Sequence, residues 1–365
     1  MALQFTTTAS ASPKTEAERA AVLAAPGFGK HFTDHMAVID WTVEDGWHDA
    51  RIQPYGPFAV DPASAVLHYG QEIFEGLKAY RREDGSVWTF RPDQNAARMQ
   101  RSAQRLALPQ LPTEDFVESL VQLVGIDEAW VPSGGEDSLY LRPFMIANEV
   151  FLGVRAAQTV LYSVIASPAG PYFPAGVKPV SIWLSREYAR AGKGGTGAAK
   201  CGGNYAASLL PTQEAFANGC AQVLFLDESG DANLEELGGM NVVLVKADGT
   251  LVTPKSESIL DGITRNSLLE IARDLGHTVE HRTVTLAEWR DGVASGEIVE
   301  AFACGTAAVI TPIGAIKAKD EADAFGDAEA PAGPVTMTLR AALTDLQYGR
   351  AEDTRGWMTQ LTGAR

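Results

Sequence analysis

One stretch concentrates the residue types that could do covalent chemistry: Ala191-Gly-Lys-Gly-Gly-Thr-Gly-Ala-Ala-Lys200-Cys-Gly-Gly-Asn-Tyr205. Six glycines fall between Gly192 and Gly203, and glycine lets a backbone approach a ligand closely or take up positive φ. Three chemistries compete for it. Gly192-x-Gly194-x-x-Gly197 spells a dinucleotide fingerprint, but Arg186–Arg190 is not a strand and no parallel β-α-β frame surrounds it. The segment also nearly spells a phosphate loop, yet Ala199 stands where glycine is required and Cys201 replaces the magnesium-binding hydroxyl. Third, Lys200 between glycine runs suits a Schiff-base lysine, whose amine turns nucleophilic once desolvation or nearby positive charge removes its proton. Small neighbours leave room for a flat ring, and Tyr205 would bring a phenolic oxygen to it. On these residues alone, a flexible loop with a solvated lysine stands beside that reading.

Other candidates are plainer. His31 and His35 stand four apart like a metal pair, but no H-E-x-x-H pattern is present; they read as structural, and no metal is expected. Cys201, Cys220 and Cys304 are an odd number without C-x-x-C spacing, so they read as free thiols of a reducing compartment. Glu236, taken alone, reads as a surface carboxylate beside Glu235.

The elements that must position these residues follow from patterning. Ala37–Trp41, Ser86–Phe90 and Leu139–Phe144 alternate like strands, with Asp84-Gly85 as a hairpin signal. Asn95–Leu106 and Glu114–Ile126 carry helical spacing. Val180–Leu184, Gln222–Leu226, Asn241–Val245 and Ile298–Ala303 are further strands, interleaved with helices over Pro211–Asn218 and Asn266–Leu275, the latter stopped by Gly276. Lys319–Pro334 reads as a solvated loop before a last helix. Ser167–Gly176 is the densest breaker cluster, and proline there predicts that no regular element runs through. Its Tyr172 and Phe173 either line a cleft or pack down. The expected layout is a mobile leader over 1–26, a small N-terminal domain over 27–167, a linker over 168–180 and a large C-terminal domain over 181–365.

Acidic residues outnumber basic ones 46 to 30, for a net charge of −16, which repels phosphate backbones and argues against nucleic-acid binding. A hydrophobic fraction of 45% excludes disorder over the whole length. No apolar run is long enough for a bilayer, and the Ser/Thr/Ala-rich start lacks a secretion pattern. The expected address is the cytoplasm.

The motifs taken together point further. Lys200-Cys-Gly-Gly-Asn-Tyr205, Glu236-Leu-Gly-Gly-Met-Asn241, Gly262-Ile-Thr-Arg265 and Gly305-Thr-Ala307 occur in that order. Phe28–Met36, Tyr69–Lys78, Phe90-Arg-Pro92 and Ser138–Pro143 precede them. The set resembles the branched-chain amino-acid aminotransferases, fold-type IV pyridoxal-phosphate enzymes, from about Gly27 to Trp357. The resemblance implies an α+β chain with a small N-terminal α/β domain and a larger C-terminal pseudo-barrel α/β domain. It implies a homodimer and a ping-pong transfer between L-leucine, L-isoleucine or L-valine and 2-oxoglutarate. Lys200 would carry pyridoxal 5'-phosphate and move the substrate α-proton. Glu236 would face the pyridine nitrogen, and Tyr205 the phenolic oxygen. Arg98, with Arg101 as its rival, would bind the phosphate with Ile263, Thr264 and Thr306. Ile263 and Thr264 also open a helix, where anions are favoured. Phe28, Tyr69, Phe74, Tyr140, Arg142 and Tyr172 would form the substrate pocket, with Thr306 and Ala307 near the substrate carboxylate. Two departures stand out. Gly239 replaces a hydroxyl residue of some relatives, and Gly305–Thr311 lacks the C-x-x-C pair of others. The rival readings are a D-amino-acid aminotransferase or aminodeoxychorismate lyase of the same fold type, and, from another class, a nucleotide-binding protein.

Overall fold

Ser138–Ala147 shows how the sequence builds its elements. Side chains on a strand alternate between faces, so Leu139, Leu141, Met145 and Ala147 are buried while Tyr140 and Arg142 share the other face. The computed structural model describes residues 3–173 and 176–363. The chain divides into two compact units: Met1–Pro174 with Ala199–Gly202 and Leu346–Arg365, and Ala175–Ala198 with Gly203–Asp345.

The first unit holds a nine-stranded sheet. Its order is Thr6–Thr7, Gly46–Pro54, His35–Thr42, Thr159–Ala169, Ser138–Ala147, Leu77–Arg81, Val87–Phe90 and Met358–Thr362, with Glu72–Phe74 also on Ser138–Ala147. Helices Pro92–Arg105 and Thr113–Ile126 contribute Met99, Phe116, Leu120 and Leu123 to its core. Pro143 lies in a strand interior, where a missing N–H would break a ladder. One of its neighbours changes there, from Glu72–Phe74 to Leu77–Arg81. In that gap the Pro143 carbonyl accepts from Glu75 N at 2.7 Å.

The second unit holds a mixed sheet, also nine-stranded. Its order is Leu234–Leu237, Gln222–Leu226, Val180–Ser185, Val309–Lys317, Ile298–Gly305, Asn241–Lys246, Leu251–Pro254 and Val279–Arg282, with Phe325–Gly326 on Val309–Lys317. Leu224, Val242, Leu244 and Trp289 lie in its core. The architecture is the expected α+β mixture. No helix among the described residues is long and apolar enough to cross a membrane.

Three expectations change. The leader is not mobile from residue 3 onward: Thr6–Thr7 pairs with Arg51 and Ile52, and Glu16–Leu23 is a helix closed by a Thr15/Glu18 capping box. Leu3, Phe5, Val22 and Leu23 pack on the first core, and such apolar side chains, sparse within the Ser/Thr/Ala run, are what hold it. The strand Thr159–Ala169 runs into the breaker cluster through Pro168, so the linker over 168–180 begins inside a sheet; its residues 174 and 175 lie outside the described ones. Lys200 and the C-terminal tail, expected in the C-terminal domain, count with the first unit. There Ala199 and Cys201 enter the core and Met358–Thr362 closes a sheet edge.

Candidate active site

In the first unit the Lys200 segment is held by its backbone. Lys200 N donates to Ser102 Oγ at 2.9 Å, Phe74 N donates to Lys200 O at 3.0 Å, and Gly202 N donates to the Glu72 carboxylate. Burial raises the Glu72 carboxyl above its ordinary value, against that hydrogen bond. Ser102 belongs to a row on Pro92–Arg105: Asn95, Arg98 and Ser102 repeat at helical spacing and all are buried. Arg101 of the same helix is exposed, so only Arg98 faces inward.

Arg98 meets a partner that sequence reasoning missed. Glu75, 0% exposed, accepts Arg98 Nε and Nη2 at 2.8 Å each, and Asn95 Nδ2 at 2.8 Å. Burial pushes the Glu75 carboxyl up, but the Arg98 charge and hydrogen bonds outweigh it and hold it below the ordinary value. Lys200 moves the other way. Burial first, then the Arg98 charge, lower its amine to about 8, with Glu75 and Tyr140 opposing and Arg142 adding. Near neutrality a useful fraction of such an amine carries no proton, which is what a nucleophile requires.

An aromatic and cationic network surrounds that amine. Lys200 Nζ lies 4.6 Å from the Phe74 ring centre, and the Arg142 guanidinium lies 4.8 Å from it. Arg142 Nη2 donates to Tyr140 Oη at 2.9 Å, and Phe28 packs edge-on against Tyr140 at 5.0 Å. A Cβ on Gly76 would run into the Tyr140 hydroxyl, so glycine is required there. Tyr69 and Tyr172 have contacts of their own. Tyr69 donates to the Leu152 carbonyl, and Tyr172 packs edge-on against Phe173 at 4.9 Å; they are 42% and 47% exposed.

The second unit has its own buried carboxylate. Glu235 and Glu236 both lie inside, unlike the surface pair the sequence suggests, because every position of Leu234–Leu237 is covered. Ser258 Oγ donates to Glu235 at 2.7 and 2.8 Å. Glu236 Oε1 meets Arg190 Nη2 at 2.7 Å and Leu260 N at 2.8 Å, while Asn241 Nδ2 donates to Oε2 at 3.3 Å. Arg190 Nη2 also donates to the carbonyls of Gly197 and Ser258, and its buried Nε lacks a hydrogen-bond partner among the described residues. Arg190 was not foreseen either.

Ile263 and Thr264 begin the helix Ile263–Asp274, which no side chain caps, so its N-terminus suits an anion. This helix packs on Ile298–Gly305, the strand that leads into Thr306 and Ala307. Their turn ends at Val309 with φ +63°, a strained value for a β-branched residue and a frequent mark of working turns. Tyr205 sits partly buried on Gly202–Ala206. The outlying candidates resolve differently. His35 Nδ1 lies 2.7 Å from Asp127 Oδ1 and its Nε2 accepts from Ser10 N, which places the ring proton on Nδ1. All three cysteines are buried, and burial pushes the Cys304 thiol up to about 12.

The first unit thus holds an amine of lowered basicity, and the second a buried carboxylate and a helix end that suits an anion. Residues 72–316 match the model of the family described as amino-transferase class IV. The chain is 56% identical over 364 residues to a branched-chain-amino-acid aminotransferase of Mycolicibacterium smegmatis, covering 98% of each chain. Among solved structures it is similar to the Escherichia coli branched-chain amino acid aminotransferase, with TM-score 0.73, 27% identity and 89% and 100% of the two chains covered. It is also similar to that of Thermobaculum terrenum in its PLP-form, with TM-score 0.70, 26% identity and 89% and 98% coverage.

Proposed function

This chain belongs to the class IV aminotransferases, and on that footing we propose that it transfers amino groups between branched-chain L-amino acids and 2-oxoglutarate. L-Leucine, L-isoleucine or L-valine leaves as its 2-oxo acid, and L-glutamate forms in the second half of a reversible ping-pong cycle. The observation that carries the reading is the Lys200 amine, lowered to about 8 and set against Phe74 within reach of the Arg142–Tyr140 pair.

The donor set fits pyridoxal 5'-phosphate. It offers an amine of reduced basicity for an aldehyde, an uncapped helix N-terminus for a phosphate and a buried carboxylate for a ring nitrogen. When bound, this cofactor supplies a carbonyl that captures amino groups and a pyridinium ring that accepts the electron pair left by a departing proton. Lys200 Nζ would take the substrate α-proton and return it in the reverse half-reaction. Glu236 would keep a proton on the ring nitrogen, and Tyr205 would hydrogen-bond the phenolic oxygen. Arg98, Ile263, Thr264 and Thr306 would hold the phosphate. Phe28, Phe74 and Tyr140 would bury the aliphatic side chain, each CH₂ contributing about 0.8 kcal/mol, with Tyr69 and Tyr172 at the pocket's edge. Arg142 and the Tyr140 hydroxyl would receive the second carboxylate of 2-oxoglutarate. Thr306 and Ala307 would receive the carboxylate common to both substrates.

A homodimer in the cytoplasm belongs to the same proposal. Segments 63–69 and 149–154 are joined by backbone hydrogen bonds and expose Leu67, Val150, Leu152 and Val154, a surface suited to a second copy. Three buried free thiols suit a reducing compartment. The test is spectroscopic. The visible band of the protein loaded with pyridoxal phosphate should change with L-isoleucine and return with 2-oxoglutarate. A band that responds only to D-amino acids, or to none, overturns the assignment.

A further inference from the structure

We propose that Glu75 is a positioning residue, whose carboxylate fixes the Arg98 guanidinium and supplies the buried negative charge that offsets it at Lys200. The first half of the argument is geometric. Two parallel N–H···O bonds of 2.8 Å tie Glu75 Oε1 and Oε2 to Arg98 Nε and Nη2, a fork that allows the guanidinium plane one orientation. Asn95 Nδ2 and Gly76 N complete Oε2, at 2.8 and 3.3 Å. The backbone fixes Glu75 in turn, through its N–H on Pro143 O and through Phe74, whose N–H holds Lys200 O. A single short segment therefore locates both the lysine backbone and the partner of Arg98.

The second half is electrostatic. The charged or titratable groups that act most on Lys200 in this unit include Arg98 on its helix, Tyr140 and Arg142 on Ser138–Ala147, and Glu75. Glu72, bonded to Gly202 N, anchors the same segment. Arg98 and Arg142 favour the neutral amine, whereas Glu75 and Tyr140 favour the ammonium. Glu75 and Lys200 also act on each other directly, since the lysine charge helps keep the carboxyl ionised. Without Glu75, Arg98 would act on the amine with only Tyr140 opposing it.

The inference rests on Lys200 as the reactive amine, but its readout needs neither cofactor nor turnover. In the cofactor-free full-length chain, trace acylation with acetic anhydride across pH, read by peptide mass spectrometry, gives the Lys200 midpoint against exposed Lys193 as reference. The wild type should titrate near 8. Glu75→Gln keeps the shape and removes the charge, and should lower the midpoint by about one pH unit; Glu75→Asp should restore it. An unmoved midpoint in Glu75→Gln overturns the role of Glu75 alone. A wild-type midpoint near the ordinary 10.5 instead undoes the reading of Lys200. If Glu75→Gln does not fold, Glu75→Gln/Arg98→Met removes both charges. Its midpoint should then stay at the wild-type value, and a rise of about a full unit would show that Arg98 acts without an offset.

Discussion

Each unit buries a carboxylate–guanidinium pair, Glu75–Arg98 in the first and Glu236–Arg190 in the second, and the two are built differently. Glu75 receives two guanidinium nitrogens and an amide from one helix face. Glu236 receives contacts from separate segments, among them Arg190, Leu260 and Asn241. Arg190 also divides Nη2 between that carboxylate and two backbone carbonyls. The first pair is neutralised within the protein and sets the field at an amine. The second ties its carboxylate to segments distant from one another in sequence, and in the proposed function that carboxylate faces the ring nitrogen. Burying a charge is tolerated when it is paired and hydrogen-bonded, and the two units meet that condition in different ways.

Mutation can break this contrast. Lys200→Ala removes the amine that the first pair serves, and glutamate formation should fall by about four orders of magnitude or more. A coupled assay retaining normal rates would end the assignment. Next comes stability, read by urea unfolding. Glu75→Gln strands a buried guanidinium and should cost about 3–5 kcal/mol. Glu236→Gln should cost about 1–3 kcal/mol, because Arg190 keeps its two carbonyls. Equal losses would erase the distinction. Two glycines sharpen it further, since an added Cβ meets Tyr140 at Gly76 and Asn241 at Gly262. Gly76→Ala and Gly262→Ala should each cost about 1–3 kcal/mol through overpacking. The first should raise the KM for the amino acid, and the second should weaken retention of pyridoxal phosphate in equilibrium dialysis. The smallest signal is in acid. Folding holds the Glu75 carboxyl below its ordinary 4.5, so it stabilises the fold above that pH, and the contribution fades as pH falls through the lower folded value. Acid titration of stability should lose that component in Glu75→Gln and keep it in Glu236→Gln.

Much of this was legible in the sequence. Lys200 stood out because glycines surrounded it, and the α+β mixture followed from alternation and helical spacing. Arg98 was separable from Arg101 in principle, since Asn95, Arg98 and Ser102 fall on one helix face. Glu75 and Arg190 carried no such signal. Their partners lie 23 and 46 residues away, at Arg98 and Glu236, and pairing at that range depends on which strands become neighbours. The breaker rule failed at Pro168 for a related reason: a proline ends a strand only where its N–H would be needed. The leader misled because its polar composition hides Leu3, Phe5, Val22 and Leu23, which are few but well placed.

The edge strand Met358–Thr362 has a consequence for synthesis. It covers Val87–Phe90, yet it is synthesised long after that strand. At roughly 5–20 residues per second, Val87–Phe90 would wait for its partner on the order of tens of seconds. For that interval the nascent chain presents an open, apolar ladder to any passing strand. A fragment ending at residue 174 would keep that edge permanently, and would also lack Lys200. Protection of the growing polypeptide, rather than endurance of the finished fold, is therefore where loss of Met358–Thr362 should be felt first.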